Sequence, residues 1–291
     1  MLSVAFRRIV IGLGLFALAF MPALAHASDP VSAPAPRRPA VLFTGGFEYG
    51  CNHVLAARLE RDGFNVNYKG YPALDGAPLT WDEIKQYNVL VISGLALANA
   101  DGTLTSKNKS NIALLRRFMQ EGGGIFYVPC YVERDTQLPA QIAFLKPLGL
   151  TPLFDELPYD PDTFEVATAW KIPFAYTRNI AADSPVSEGV TGLWYPQITH
   201  IGAQMHTTPL KIDSDWTAWV RGGKSAGTLV IPHRVWPVVL DEAKKAKPGS
   251  YASEPVLMAG RSVGKGRLVV FSISPKYILG TGADHTGRRG V

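Results

Sequence analysis

Two kinds of apolar run alternate through the first half of the chain. Short unbroken stretches, "AVLFTG" at 40–45, "NVLVISG" at 88–94 and "GIFYVP" at 124–129, are rich in β-branched and aromatic residues and end in glycine or proline. Runs of that kind predict strands buried on both faces of a parallel sheet. Between them the apolar spacing is helical. In "NHVLAARLERDG" (52–63) Val54, Leu55, Ala57 and Leu59 repeat at helix-like intervals until Gly63 stops the run. "TWDEIKQY" (80–87) begins with Thr80 as an N-cap and has Glu83 three residues on, the pattern of a capping box. "SKNKSNIALLRRFMQEGGG" (106–124) sets Ile112, Leu115, Phe118 and Met119 on one face, and "QLPAQIAFLKPLG" (137–149) predicts a further helix. "FNVNYKG" (64–70) alternates like a strand nearer an edge.

Strand and helix in alternation, with connections too long for hairpins, predict an α/β fold: a doubly wound, mostly parallel, flavodoxin-like sheet. The texture then changes. "IDSDWTAWVRG" (212–222), "AGTLVIPHRVWPVVL" (226–240) and "EPVLMAGRSVGKGRLVVFSISP" (254–275) are β-branched runs between glycine-rich turns. They predict strand-rich C-terminal additions, antiparallel or in a side sheet, with 266–274 returning as a buried strand of the main sheet. Trp194, Trp216, Trp219 and Trp236 fall in this half and read as core packing. No segment repeats at a fixed period, which excludes solenoids and propellers.

The N-terminus changes the picture of where this fold works. Arg7 and Arg8 precede 13 apolar residues, Ile9 to Met21, and two A-x-A sites follow at Ala23–Ala25 and Ala25–Ala27. That is the layout of a secretory signal peptide over 1–27. The run is shorter than the about 20 residues a membrane span needs. A periplasmic or secreted protein, with no membrane span after signal cleavage, is expected. A Pro/Ala-rich linker covers 28–39, and the α/β domain covers 40–291. Losing Arg7 and Arg8 lowers the formal net charge from +5 to +3, and the remaining basic residues form no stripe, so no nucleic-acid partner is expected.

In such sheets ligands lie outside the carboxyl ends of the strands. The loops "GGFEYGCN" (45–52), "GLALANADG" (94–102) and "PCYVERD" (129–135), with whatever follows the last strand, are therefore the candidates. Glu48 and Tyr49 form a short polar loop over that place. Asn52 and His53 stand at the start of the first helix, where backbone N–H groups attract polar and anionic ligands, although Asn52 also reads as a cap. "GGFEYG" is not a dinucleotide fingerprint, so no cofactor is expected. His200 and His206 read as core or surface residues, and no cluster has metal-ligand spacing.

Four stretches together resemble the class I glutamine-amidotransferase-like superfamily: the first strand with its glycine loop, the strand leading to Cys130, "DSPVSEGVTGLWYP" (183–196) and "VGKGRLVVFSISP" (263–275). Within it they are similar to the secreted ThuA-like (trehalose-utilisation-like) branch, over nearly all of 40–285. The resemblance implies a nucleophile elbow, G-x-C-x-G, after a strand, and a His-Pro-Glu after a late one. Cys130 stands at the elbow position, but Val128 and Val132 replace its glycines, and Ser274-Pro275-Lys276 stands where His-Pro-Glu is expected. Val132 would be strained at φ > 0 where glycine is not. Glutaminase activity is therefore not expected.

Three states of Cys130 stay open: a nucleophile served by Asp284 and His285 in the tail, with Glu133 nearby; a disulfide with Cys51; and an inert buried thiol. The strands before the two cysteines flank a third in a 2-1-3-4-5 order, about 9–10 Å apart, which strains the disulfide unless the loops lean together. The resemblance also implies a further helix past the tail "DHTGRRGV", so the C-terminus reads as truncated. The expected function is an exported ThuA-like domain that binds or processes a carbohydrate or related polar metabolite. The alternatives are a Cys130-dependent hydrolase or transferase, and a degenerate domain with an assembly role.

Overall fold

The computed structural model describes residues 38–44, 49–69, 79–129, 134–167, 172–184, 189–198, 207–231 and 240–273. In chain order the first half is β1 (Ala40–Thr44), α1 (Tyr49–Arg61), β2 (Asn65–Lys69), α2 (Trp81–Ile84), β3 (Val89–Ser93), α3 (Ser106–Gln120), β4 (Gly124–Val128) and α4 (Arg134–Leu145). Strands dominate the second half: β5 (Leu150–Pro152), β6 (Glu156–Tyr159), β7 (Glu165–Ala167), β8 (Ile172–Thr177), β9 (Leu193–Pro196), β10 (Leu210–Ile212), β11 (Thr217–Arg221) and β12 (Gly227–Val230). The short helix α5 (Leu240–Ala243) precedes β13 (Lys247–Pro248), β14 (Val256–Val263) and β15 (Gly266–Phe271).

Seven strands make the central sheet, in the order β11-β14-β15-β4-β3-β1-β2. The five from β2 to β15 are parallel, and β14 and β11 extend the sheet antiparallel. This is a mixed α/β architecture with a large, mostly parallel sheet in the flavodoxin-like order. The run 266–274 does return to the main sheet, beside β4. Among the described residues, three small antiparallel sheets hold the remaining eight strands.

Strand parity divides the core into two halves. Val41, Phe43, Val89, Val91, Phe126 and Val269 pack with Leu55 and Leu59 of α1 on one face. Leu42, Leu90, Ile92, Tyr127 and Val270 pack on the other with Ile84 of α2, Leu115 and Phe118 of α3, and Phe144 of α4. Side chains alternate across a strand, so unbroken apolar runs follow directly from burial on both faces. Ile112, Leu115, Phe118 and Met119 are all buried, as their spacing predicts. Trp216 is buried, Trp219 packs half-buried against the core, and Trp194 is half-buried, while Trp236 lies outside the described residues.

The helix starts are set locally. Thr80 accepts from the Glu83 N–H while the Glu83 carboxylate accepts from the Thr80 N–H, completing the capping box. Thr105 and Asn108 do the same for α3, with Asn108 in the acid's place. The hairpin joining β14 to β15 rests against the end of α3. A Cβ at Gly266 would lie 2.1 Å from the Gly123 carbonyl and 2.5 Å from that of Met119. Among the described residues no helix is long and apolar enough to cross a membrane.

Candidate functional site

β1 is the point at which the strand order reverses: β2 adds on one side of it and β3 on the other. The helices change face at the same point, from α1 to α2–α4. The carboxyl ends of β1 and β3 therefore border the crevice in which a sheet of this order takes its ligand.

Both strands end in a hydroxyl residue. Thr44 is 2 % exposed and Ser93 3 %, and neither hydroxyl has a hydrogen-bond partner among the described residues. Thr44 pairs with Ile92, so Ser93 stands one residue further out on the neighbouring strand. Parity puts Thr44 on the side of Leu42 with α2–α4, and Ser93 on the side of Val91 with α1. Gly94, at φ 66°, then turns the chain, and its N–H donates to the Val128 carbonyl.

A second group lies at the end of β15. Ser272 follows the strand, the Thr208 N–H donates to its carbonyl at 3.0 Å, and Thr207 bridges Ile273. The hydroxyls of Ser272, Thr207 and Thr208 are buried and likewise without partners among the described residues. In all, eight buried side-chain polar atoms of the described residues lack partners, and five are these hydroxyls. An unpaired buried hydroxyl costs about 1–3 kcal/mol, so five together rival the whole stability of a typical domain, about 5–15 kcal/mol. Groups at that cost are met by water, by further chain or by a ligand.

Two carboxylates among the described residues are satisfied internally. The Asp160 carboxylate accepts from the Asp162 N–H, the Thr163 hydroxyl and the Ser225 hydroxyl, and the Asp160 N–H donates to the Gln197 amide oxygen. Glu156 accepts from Thr228 and from the backbone and side chain of Ser250. Burial, and then the charge of Asp160, pushes the Tyr195 phenol far up, so it stays neutral; the Gly223 N–H faces its oxygen without closing a hydrogen bond. Burial also raises Tyr251, whose hydroxyl donates to the Leu210 carbonyl at 2.6 Å. The carboxylates held below their usual range are surface groups: Asp82 by Lys85, Asp101 by Thr103, and Glu83 by Lys69 first and Thr80 second.

The residues expected from sequence fall mostly elsewhere than in described structure. Glu48, Cys130, Glu133, His200, His206, Asp284 and His285 lie outside the described residues. Tyr49, Cys51, Asn52 and His53 are in the first turns of α1. That helix begins at Tyr49, three residues before the expected start, so Asn52 belongs to the helix and is not its cap, and Tyr49 is helical rather than part of a loop. Val128, where an elbow glycine would stand, is an extended core residue paired with Ser93. Among the described residues no three His, Cys, Asp or Glu side chains gather into a metal-binding group.

Sequence reasoning misses Thr44, Ser93, Thr207, Thr208 and Ser272. The signal for three of them is present in "AVLFT", "VLVIS" and "LVVFS", where a hydroxyl closes an otherwise apolar strand.

Neither a family model nor a curated protein sequence matches the chain. Among solved structures it is similar to the mmIFT52 N-terminal domain, at 11 % identity and TM-score 0.44, covering 85 % of this chain and 87 % of that one. It is similar to a glutamine amidotransferase from Thermotoga maritima at 11 % identity and TM-score 0.41, covering 83 % and 80 % of the two chains. A β-galactosidase from Rahnella sp. R3, at 9 % identity and TM-score 0.41, is matched over 83 % of this chain but only 30 % of its own length. Likenesses this distant assign no chemistry to the chain.

Proposed function

We propose that the chain is an exported, doubly wound domain of the class I glutamine-amidotransferase-like type, in its ThuA-like branch. Its role on this reading is to hold a carbohydrate or related polar metabolite at the carboxyl ends of the parallel strands. One observation carries the proposal: five buried hydroxyls without partners among the described residues gather at that edge. A hydroxyl both donates and accepts, and a polyhydroxyl ligand offers the same pair of functions in return. The segment 1–27 supports export, and Glu48, Tyr49, Asn52 and His53 are proposed to complete the binding surface. Glutaminase chemistry is disfavoured by the core role of Val128 and by Ser274-Pro275-Lys276.

A thermal-shift screen of the mature protein over neutral sugars, polyols and sugar acids tests this. A true ligand at 100 times its Kd stabilises the fold by about 2.7 kcal/mol. That moves the melting temperature by roughly 5–10 °C for a domain of this size. A flat response across the whole panel removes the proposal. Rapid alkylation of Cys130 by iodoacetamide near neutral pH would instead favour a thiol-dependent hydrolase or transferase.

A further inference from the structure

Asp160 is a carboxylate at 0 % exposure. Its oxygens accept from the Asp162 N–H, the Thr163 hydroxyl and the Ser225 hydroxyl, at 2.6–3.0 Å. Those donors are neutral, and no ion pair among the described residues includes Asp160. Three of the about four acceptor positions on the carboxylate are therefore met, while its charge has no counter-ion. Charges buried this completely are otherwise paired or bound to a metal ion. The oxygen with a single donor, Oδ2, faces Gly223. A Cβ built on Gly223 would lie 2.9 Å from Asp160 Oδ2 and 3.9 Å from the Tyr176 carbonyl oxygen; beyond the flanking residues, no other heavy atom of the described residues comes within 4 Å. Gly223 is not among the glycines with positive φ, so the room beside it, and not its backbone, is what a side chain would disturb. The Tyr195 hydroxyl, fully buried and without a hydrogen-bond partner, stands at the Gly223 N–H. Thr163 Oγ1 is 2.8 Å from Asp160 Oδ2 and 3.4 Å from the Tyr176 carbonyl oxygen. Oxygens from four residues thus border the space that a side chain at 223 would fill.

We infer that this space is a site for a monovalent alkali cation, bound by Asp160 Oδ2, the Tyr195 and Thr163 hydroxyls and the Tyr176 carbonyl. Carboxylate, hydroxyl and carbonyl oxygens are the donors that hard cations take. One carboxylate answers one positive charge. A calcium ion takes about six to eight oxygens, more than gather here, and would carry a surplus charge into the interior. Water in the same place would give Tyr195 a partner but leave Asp160 without a counter-ion. Burial and the charge of Asp160 keep the Tyr195 phenol neutral, so it serves as an oxygen ligand and adds no second negative charge. Asp160 and Thr163 follow β6, Tyr176 and Tyr195 lie on β8 and β9, and Gly223 follows β11. The ion therefore joins the two three-stranded sheets where they meet the end of a strand of the central sheet. Its role is to hold these sheets together, and it is independent of any sugar bound at the parallel strands.

Thermal melting of the mature protein in sodium, potassium or choline chloride, at one fixed ionic strength, tests the inference. Choline supplies ionic strength but is too large for the space beside Gly223. Sodium or potassium is expected to raise the melting temperature saturably, by roughly 3–6 °C at about ten times its Kd. Gly223→Ala puts a methyl group where the ion sits and is expected to abolish the dependence on the ion. Tyr195→Phe removes one ligand and leaves the charge, so it is expected to weaken the ion about tenfold. Equal melting in all three salts would overturn the inference, and so would an undiminished ion dependence in Gly223→Ala. A rise with calcium chloride and none with either alkali ion would overturn the monovalent assignment. Should a variant fail to fold, the discrimination between alkali ion and choline by the unaltered protein decides the matter.

Discussion

Replacing Thr44 by valine separates a ligand-facing hydroxyl from a structural one by the sign of its effect on stability. Thr44 closes β1, is 2 % exposed, and offers a hydroxyl with no partner among the described residues. Valine has the same branched shape, so the ladder with Ile92 and the packing beside Leu42 are preserved. Removing an unpaired hydroxyl recovers a desolvation cost of about 1–3 kcal/mol. The added methyl contributes about 0.8 kcal/mol if the site closes dry around it. A hydroxyl wetted by ordered water recovers less, so the net expectation for the ligand-free protein is a gain of about 1–2 kcal/mol. For a domain of this size that raises the melting temperature by roughly 2–8 °C. The assay is paired thermal and urea denaturation of the two proteins followed by circular dichroism. In saturating ligand the order reverses, because only threonine gains the ligand's hydrogen bond. A loss of about 1 kcal/mol or more in the ligand-free variant would show that the Thr44 hydroxyl is already paired within the protein. Thr44 would then drop out of the proposed binding edge, and the case for unmet hydroxyls would weaken with it.

Gly266→Ala sets a Cβ against the backbone carbonyls of Gly123 and Met119, neither of which is the end of a flexible side chain. A loss of about 3 kcal/mol in urea denaturation, or failure to accumulate folded protein, is expected. Trp216→Phe removes the indole N–H that donates to the Leu148 carbonyl at 2.6 Å but leaves Arg261 bonded to the same oxygen. With the cavity left by the smaller ring added to the lost hydrogen bond, the expected cost is about 2–3 kcal/mol by the same assay. Glu83 is hydrogen-bonded by Lys69 and by Thr80, which hold its carboxyl below the usual 4.5. A carboxylate depressed in the folded state contributes stability above its unfolded pKa and loses it as pH falls through the folded value. The difference in melting temperature between the protein and Glu83→Gln should thus be greatest near neutrality and vanish at pH values well below 4.5. Because the side chain is 40 % exposed, 1 M salt should shrink that difference too.

Legibility in the sequence tracks the kind of force at work. Where burial on two faces dictates an unbroken apolar run, as in "VLVIS", the strand is readable to within a residue. Where a single side chain satisfies a helix end, as Thr80 does, the start is readable as well. The beginning of α1 is hidden because Tyr49 and Gly50 carry no periodic signal and no Ser, Thr, Asp or Asn immediately precedes them to mark a cap. The small sheets are legible only as β-rich texture, since pairings such as β6 with β12 join residues some 70 positions apart through contacts that no local pattern records. The hydroxyls are silent for a different reason. A serine at a strand end is unremarkable in sequence, and its meaning comes from burial and from partners it lacks.

Polar groups of that kind bear on function. A sequence selected for stability alone would close β1 with valine and β3 with alanine, and it would not keep a β-branched residue at Ile198, where φ is 40° and the side chain is fully buried. A non-glycine residue in that region costs about 1–3 kcal/mol and persists only when its surroundings fix it. Here the Ile198 N–H is bonded to the Pro158 carbonyl, and the preceding Gln197 accepts from the Asp160 N–H and donates to the Phe174 carbonyl. The satisfied network around Asp160 and Gln197 thus lies immediately before the strained residue, and the chain from Ile198 next enters described structure at Thr207 and Thr208, beside Ser272. Satisfied polar groups precede Ile198, and unmet hydroxyls stand where the described chain resumes. A fold that holds its backbone firmly while leaving polar groups unpaired at one sheet edge has stability to gain from a partner there, and Ile198→Gly, by loosening that support, should weaken sugar binding beyond what its effect on melting accounts for. Calorimetry on a variant still folded at the assay temperature checks this, and unchanged affinity would separate the strain at Ile198 from the site.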